Sequence, residues 1–160
     1  MATICDQQHT LQNLQRRRPV WAQDHPVLLA MQRFSWDINF GGCDFDEIVF
    51  GRALRTSIDN GQVWLYECRG RIVGWLWLDT TSPATGGHVR QLQVAQPYWG
   101  QGIGAHILGD AIAICRARRC RAVTLNVTKS NQRAMSLYRR MGFSLRRDNG
   151  DRQYMELLLD

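Results

Sequence analysis

The fold is decided by one stretch of the chain, Leu92-Gln93-Val94-Ala95-Gln96-Pro97-Tyr98-Trp99-Gly100-Gln101-Gly102-Ile103-Gly104-Ala105. A β-type segment, Val89 to Val94, leads into it, and a helix with apolar periodicity begins within it. Glycines at positions 100, 102 and 104 let the backbone pack closely and turn its N–H groups outward. The N-terminus of the helix adds a partial positive charge at the same place. The stretch therefore predicts a binding site for a diphosphate.

Two kinds of diphosphate site fit this glycine spacing. One is the dinucleotide fingerprint, which the run Gly100-x-Gly102-x-x-Ala105 matches formally. That fingerprint also needs an acidic residue about 20 positions further on, at the end of the next strand, to bind the ribose hydroxyl. Positions 111–147 contain no Asp or Glu. The dinucleotide interpretation therefore lacks its second half.

The other kind of site is indicated by a second motif downstream. A predicted strand, Ala122 to Val127, is followed by Asn131-Gln132-Arg133-Ala134-Met135-Ser136-Leu137-Tyr138-Arg139-Arg140-Met141-Gly142-Phe143. This segment resembles the C-terminal signature of the GNAT superfamily of N-acetyltransferases. The upstream segment from Val94 to Gly104 resembles the acetyl-CoA pyrophosphate loop of the same family. The two motifs occur in the order and at the spacing of that family.

The resemblance implies an α/β (α+β) fold with a mixed, mostly antiparallel central sheet flanked by helices. It implies a single GNAT-type domain over residues 1–160, with residues 1–18 as a loose N-terminal lead. Residue patterns predict the elements along the chain. These are a short strand at 20–22, helices at 25–36 and 45–58 (the second capped by Asp44), a β-hairpin of 62–68 and 71–79, a flexible loop at 82–87, a strand at 88–94, a helix at 102–118, a strand at 122–127, a helix at 131–141, and strands at 143–147 and 153–159.

The implied activity is transfer of an acetyl group from acetyl-CoA to a primary amine, by direct attack in a ternary complex. The acceptor is either a small-molecule amine or an amine of a peptide or protein. Trp99 stands where the family usually has Arg or Gln, so we expect tighter local packing there rather than lost binding. By resemblance, the residues that bind the cofactor are Leu92, Gln93, Val94, Trp99, Gly100, Gln101, Gly102, Ile103, Gly104, Ala105 and Asn131, the last of which also fits a helix N-cap.

Two residues are candidates for proton transfer. Tyr138 lies at the family's position for the tyrosine that protonates the departing CoA sulfur, and its alternative is a core aromatic on one helix face. His88 opens the strand before the loop, where several family members place a general base, and an imidazole suits that task near neutral pH. Its alternative is a histidine exposed at the end of a loop. Asn126 replaces the catalytic Glu of ribosomal-protein N-terminal acetylases and cannot act as a base.

Charge is unevenly distributed in a chain of net charge +6. Residues 81–160 hold 12 Lys and Arg against 5 Asp and Glu, a net of +7, whereas residues 1–80 hold 8 against 9, a net of −1. A basic half that also carries the glycine loop suits an anionic cofactor. Charge alone also allows an RNA-binding protein, but no nucleic-acid motif accompanies it. A non-catalytic acyl-CoA-binding or regulatory module on the same fold is the other alternative.

Other features set expectations about partners and location. The longest apolar run, Ile72 to Leu78, is too short to span a bilayer, and residues 3–18 lack the apolar core of a signal peptide. The five cysteines are scattered without a C-x-x-C pair, so we expect neither a disulfide framework nor a metal site. A cytoplasmic protein without membrane contact is expected, and homodimerisation is open because GNAT domains often dimerise. Acidic residues in the N-terminal half favour a cationic acceptor, unless they are only loop and helix-start charges (Asp37, Asp44, Asp46 and Glu47).

Overall fold

The computed structural model describes residues 9–82 and 84–160. The strands are β1 Leu14–Arg17, β2 Val63–Cys68, β3 Arg71–Asp79, β4 Gly87–Val94, β5 Ala122–Thr128, β6 Ser144–Asn149 and β7 Arg152–Leu158. The helices are α1 Trp21–Phe40, α2 Glu47–Asp59, α3 Ile103–Ala117 and α4 Gln132–Arg140, with a 3-10 turn at Gln96–Tyr98. The seven-stranded sheet has the order β1-β2-β3-β4-β5-β7-β6, with β4 and β5 parallel. This confirms the predicted mixed, mostly antiparallel sheet.

The chain divides into two compact units. The first comprises the described residues up to 77 together with 92–104, and the second comprises 78–91 together with 105–160. Strands β3 and β4 each belong partly to one unit and partly to the other. The single GNAT-type domain over 1–160 stays a prediction, and the part of the N-terminal lead at 1–8 lies outside the described residues.

The first unit holds an antiparallel arrangement of β1, β2 and β3. The predicted hairpin is confirmed, and its two-residue turn has positive φ at both Arg69 and Gly70, as hairpin turns require. Apolar side chains of the hairpin pack against apolar side chains of α1 and α2 in a buried core. Its fully buried members are Leu28, Leu54, Val63, Leu65, Trp75 and Trp77.

The beginning of this unit differs from the prediction. Residues 14–17, which we placed in a loose lead, form β1 and pair with β2. The predicted strand at 20–22 is wrong, because α1 already begins at Trp21. The Asp24 carboxylate accepts the Val20 N–H at 2.6 Å and binds the Arg17 guanidinium at 2.7 and 2.8 Å. Arg17 also donates to Glu67 at 2.8 Å, so this ion cluster ties β1, α1 and β2 together.

The second helix also starts later than predicted. The predicted cap by Asp44 is wrong, because the side chain of Asp46 accepts the Val49 N–H at 2.9 Å and α2 begins at Glu47. Both residues are aspartates two positions apart, and the spacing of the apolar residues does not distinguish them.

The second unit contains the β-α-β part of the fold. Parallel β4 and β5 are followed by the antiparallel pairs β5–β7 and β6–β7. The predicted bounds of these strands and of α3 and α4 lie within two residues of the observed ones. The core of this unit comes from α3 and from one face of the strands, and includes Ile107, Leu108, Val123, Leu125 and Met155.

The start of β4 allows a test of packing in this unit. A Cβ at Gly87 would overlap the Sγ of Cys115, which is fully buried. We expect Gly87→Ala to lower the free energy of unfolding by about 1–3 kcal/mol, the usual effect of overpacking. Chemical denaturation checks this value. Adding Cys115→Ala should restore part of the loss, because it removes the overlapping atom.

A second glycine in the same unit provides the control for this test. A Cβ at Gly109, in α3, would meet no atom within 4 Å. Gly109→Ala should therefore leave stability unchanged or raise it by up to about 1 kcal/mol. Equal stability of Gly87→Ala and the wild type would contradict the packing described here.

Candidate active site

The glycine loop follows the end of β4 in the first unit. After the 3-10 turn, Gly100 and Gly102 adopt φ values of +76° and +82°, a region that residues with a side chain rarely enter. Helix α3 then begins at Ile103, which is buried and anchors the first turn. A Cβ at Gly100 would meet no atom within 4 Å, so the space above this backbone is open. Left-handed residues before a helix N-terminus are typical of anion-binding backbone.

Trp99 fixes the entrance to this loop. Its indole Nε1 donates a hydrogen bond of 2.7 Å to the carbonyl oxygen of Val94. Its ring lies 6.1 Å, centroid to centroid, from the ring of Phe34 on α1. The side chain is half-buried, so at this position the chain uses an aromatic residue for packing within the first unit.

Gln93 has a role that the sequence analysis missed. Its Oε1 accepts a 2.8 Å hydrogen bond from the Trp75 indole, and its Nε2 donates at 2.6 Å to Gln32 Oε1 on α1. All three side chains are buried. The first residue after β4 is held too, because the Ala95 N–H donates to the Val73 carbonyl at 2.8 Å. The sequence signal for this role was Gln93 itself, a long polar side chain within a strand. A polar side chain that is buried needs hydrogen-bond partners.

His88 lies in the second unit, near the start of β4. Its Nδ1 is 2.8 Å from Thr124 Oγ1, and its ring stacks on that of Tyr154 at 6.4 Å with an angle of 18°. Burial lowers the pKa of His88 below its ordinary value. The charges of Arg90 and Arg152 lower this pKa further, and Asp79 opposes them. The alternative of a fully exposed histidine is therefore wrong, and the imidazole is neutral at pH 7.

Strand register places further polar residues beside His88. His88 pairs with Thr124 across β4 and β5, and Asn126 pairs with Tyr154 across β5 and β7. Because side chains alternate along strands, these four residues belong to one side of the sheet in this unit. We call it the polar face. The opposite side is apolar and buried, with Val89, Val123, Leu125 and Met155.

Helix α4 carries the remaining candidates. Asn131 is its N-cap, since its side chain accepts the Ala134 N–H at 3.2 Å, and this part of the prediction is confirmed. Tyr138 is buried about two turns further on, with its ring 5.9 Å from that of Phe143. Burial raises the pKa of Tyr138 to about 12. The phenol therefore stays protonated throughout the physiological pH range.

The candidates thus fall into two groups. The first unit contains the end of β4, the glycine loop and the first residues of α3, and the second contains His88, Ala105, Asn131 and Tyr138. Within the described residues, no three His, Cys, Asp or Glu side chains gather in the manner of metal ligands. None of the helices in the described ranges combines the length and apolar composition needed to cross a membrane.

The sequence matches a known family over most of its length. The model of the acetyltransferase (GNAT) family aligns with residues 25–143, a range that includes the glycine loop and α4. The chain belongs to the GNAT family. This confirms the resemblance drawn from the two motifs.

Individual relatives of this GNAT chain differ in what they acetylate. The chain is 33% identical over 135 residues to a mycothiol acetyltransferase of Tsukamurella paurometabola, covering 76% of this chain and 45% of that protein. It is 39% identical over 57 residues to the N-alpha-acetyltransferase MAK3 of Arabidopsis thaliana, covering 36% of this chain and 30% of that protein. The alignments thus span less than half the length of either relative.

A solved structure shares the fold of the GNAT chain. The PaiA N-acetyltransferase from Thermoplasma acidophilum, in complex with coenzyme A, superposes with a TM-score of 0.77 at 19% identity. The match covers 91% of this chain and 99% of that one. At this identity the likeness establishes the fold alone.

The environment of His88 predicts a pH dependence of stability. Because its pKa is lowered by folding, the unfolded state binds more protons between the folded pKa and the ordinary value of about 6.5. The stabilisation is complete above pH 6.5 and is lost as the pH falls through the folded pKa. We expect the free energy of unfolding to fall less between pH 7 and pH 5 in His88→Gln than in the wild type. Denaturant titrations at several pH values check this, and parallel curves would contradict it.

Proposed function

We propose that this protein transfers the acetyl group of acetyl-CoA to a primary amine, by direct attack in a ternary complex. The observation that carries the proposal is the backbone of the glycine loop. Gly100 and Gly102 are left-handed, the space above Gly100 is open, and the helix N-terminus follows at once. Oriented N–H groups at a helix N-terminus bind phosphate oxygens without needing a charged side chain. A shared family and a similar fold solved with coenzyme A support the same cofactor.

In this proposal the donor is bound mainly by backbone groups. The N–H groups of the loop and of the first turn of α3, residues 100–105, bind the diphosphate. Backbone N–H groups of Leu92, Gln93 and Val94 polarise the thioester carbonyl, where charge develops during attack. Asn131 contacts the pantetheine or phosphate region in addition to capping α4. The backbone groups of residues 92–94 depend on the buried carboxamide of Gln93, which holds the end of β4 in place.

The reaction is an acyl transfer whose atoms balance within the ternary complex. The neutral amine attacks the thioester carbonyl carbon, a C–N bond forms, and the C–S bond then breaks. The nitrogen loses one proton and the sulfur gains one, so the products are an acetamide and the CoA thiol. The protein's task is to accept the first proton and to stabilise the departing sulfur.

Tyr138 is proposed to act on the departing sulfur. Its pKa of about 12 lies roughly 3.5 units above the ordinary thiol value of about 8.5, so complete proton transfer to a free thiolate would be uphill by about 5 kcal/mol. Donating a hydrogen bond does not require this proton transfer. The phenol can donate one at every physiological pH, because it stays protonated. We therefore assign Tyr138 the role of hydrogen-bond donor to the developing thiolate, with the proton lost by nitrogen completing the exchange.

His88 is proposed as the general base. If Nδ1 carries the hydrogen and donates it to Thr124 Oγ1, then Nε2 holds the lone pair that accepts a proton. His88 precedes Leu92 by four residues on β4, which is roughly 13 Å along an extended strand at about 3.3 Å per residue. That distance exceeds direct reach of an imidazole. His88 would therefore take the proton through a chain of hydrogen-bonded waters.

Three finer points are also proposed. The acceptor is either a small-molecule amine or a peptide or protein amine, and the two curated relatives include one acetyltransferase of each kind. We place the protein in the cytoplasm, because its buried thiols, such as Cys68 and Cys115, suit a reducing compartment. Homodimerisation is retained on the family resemblance alone.

Calorimetric titration with acetyl-CoA tests the donor site. We expect micromolar binding by the wild type and at least tenfold weaker binding by Gly100→Ala, because the new methyl group occupies the open space above the loop. Gly150→Ala is the matched control, since Gly150 has the same φ of +76° and equally open surroundings in the β6–β7 turn. Both variants carry the same backbone strain. Equal affinities for all three proteins would refute the loop assignment.

The role of Tyr138 is tested by Tyr138→Phe. We expect kcat to fall about a hundredfold, typical of a lost hydrogen-bond donor to developing negative charge, while the Kd for acetyl-CoA changes less than twofold. Thiol release with a panel of amines measures kcat, and Tyr66→Phe, another buried tyrosine, controls for loss of a hydroxyl. An unchanged kcat would exclude Tyr138 from the reaction. Tight acetyl-CoA binding by a folded protein without turnover on any amine would favour the non-catalytic module.

A further inference from the structure

The charges on the polar face are opposite to those that the sequence analysis expected around the acceptor. Arg90 follows His88 by two positions on β4, and Arg152 pairs with Thr128, four positions after Thr124 on β5, so both belong to the polar face. Both are exposed, and their charges lower the pKa of His88. The charge of the Asp79 carboxylate acts on the pKa of His88 in the opposite sense and raises it. Glu156, which pairs with Thr124 in register, is already bound by Arg146 at 2.6 Å. Among the residues that the structure describes, the charges that act on His88 are two guanidinium groups and one carboxylate, a net positive charge.

The acidic residues of the first unit have other roles. Asp46 caps α2 through the Val49 N–H, and Glu47 forms an ion pair with Arg33. A carboxylate that caps a helix or binds an arginine has much of its charge compensated. The expectation of a cationic acceptor therefore loses two of the four residues on which it rested.

Resting on the proposed acetyl transfer, we propose that the acceptor is an amine that also carries a carboxylate, and that Arg90 and Arg152 bind this carboxylate on the polar face. Guanidinium groups bind carboxylates through paired, charge-assisted hydrogen bonds. On the same face Asn126 offers a neutral hydrogen-bonding group, and Tyr154 offers a ring surface. A polyamine would instead meet like charge, which is unfavourable in binding. The carboxylate can belong to a free amino acid or to the first residues of a peptide.

Binding of product analogues tests the inference without any turnover. The probes are N-acetylglycine, which carries a carboxylate, and N-acetylglycinamide, which is neutral and of the same shape, each titrated into the protein saturated with CoA. We expect about tenfold tighter binding of the carboxylate and loss of this difference in Arg90→Ala/Arg152→Ala. The double variant Arg52→Ala/Arg116→Ala removes the same charge from exposed helix positions and should behave as the wild type. Equal affinity for both probes, or equal loss in both variants, overturns the inference.

Turnover then distinguishes the source of the carboxylate. Peptides that begin with Glu or with Gln form one matched pair, glutamate and its diamide form another, and spermidine is the cationic acceptor. We expect kcat/KM to be about tenfold higher for the acidic member of one pair, which identifies peptide or free amino acid, and to fall in Arg90→Ala/Arg152→Ala. A preference for spermidine overturns the inference. No acetylation of any amine, together with selective carboxylate binding, would refute the proposed transfer and leave the anion site standing.

Discussion

The end of β4 depends on one buried side chain, the carboxamide of Gln93. It accepts from the Trp75 indole and donates to Gln32, and all three groups are shielded from water. Each buried polar group left without a partner lowers the stability of the fold by about 1–3 kcal/mol. A shift of α1 against this strand would leave several such groups without partners at once. The segment that follows bonds back to the same strands, through the Ala95 N–H and the Trp99 indole. The glycine loop therefore begins from a fixed backbone position. The glycines could not fix this position themselves, because glycine is the residue with the greatest conformational freedom.

Much of the fold could be predicted because its determinants are local. The hairpin of β2 and β3 follows from two strand-like runs joined by Arg69 and Gly70, a pair that adopts the left-handed turn. The Asn131 cap and the start of α3 after Gly102 follow from residues adjacent in sequence. The glycine loop belongs to the same class, because glycine at a left-handed position is a requirement of the backbone itself.

The parts that could not be predicted depend on residues far apart in sequence. Arg17 joins β1 to the fold through Asp24 and Glu67, the latter 50 positions away, and no local pattern distinguishes it from the neighbouring arginines. The same applies to the candidate site. The carboxamide of Gln93 reaches 61 positions back to Gln32. The environment of His88 is set by Thr124, 36 positions away, and by the ring of Tyr154. Sequence spacing identified His88 as a candidate but could not give its protonation state.

That protonation state bears on which amines the site can use. A lowered pKa keeps His88 neutral, and thus able to accept a proton, but it also makes the imidazole a weaker base. If His88 accepts the proton as proposed, deprotonating a lysine-type ammonium of pKa about 10.4 is uphill by at least about 5 kcal/mol. An α-ammonium of pKa about 7.7–8.0 needs at least about 2 kcal/mol. The difference of about 3 kcal/mol comes from the pKa values of the amines themselves, so it favours α-amines over side-chain amines and polyamines whichever base accepts the proton. A carboxylate in place of Asn126 would raise the pKa of His88 and lower both costs equally, whereas the amide leaves the arginines to lower this pKa.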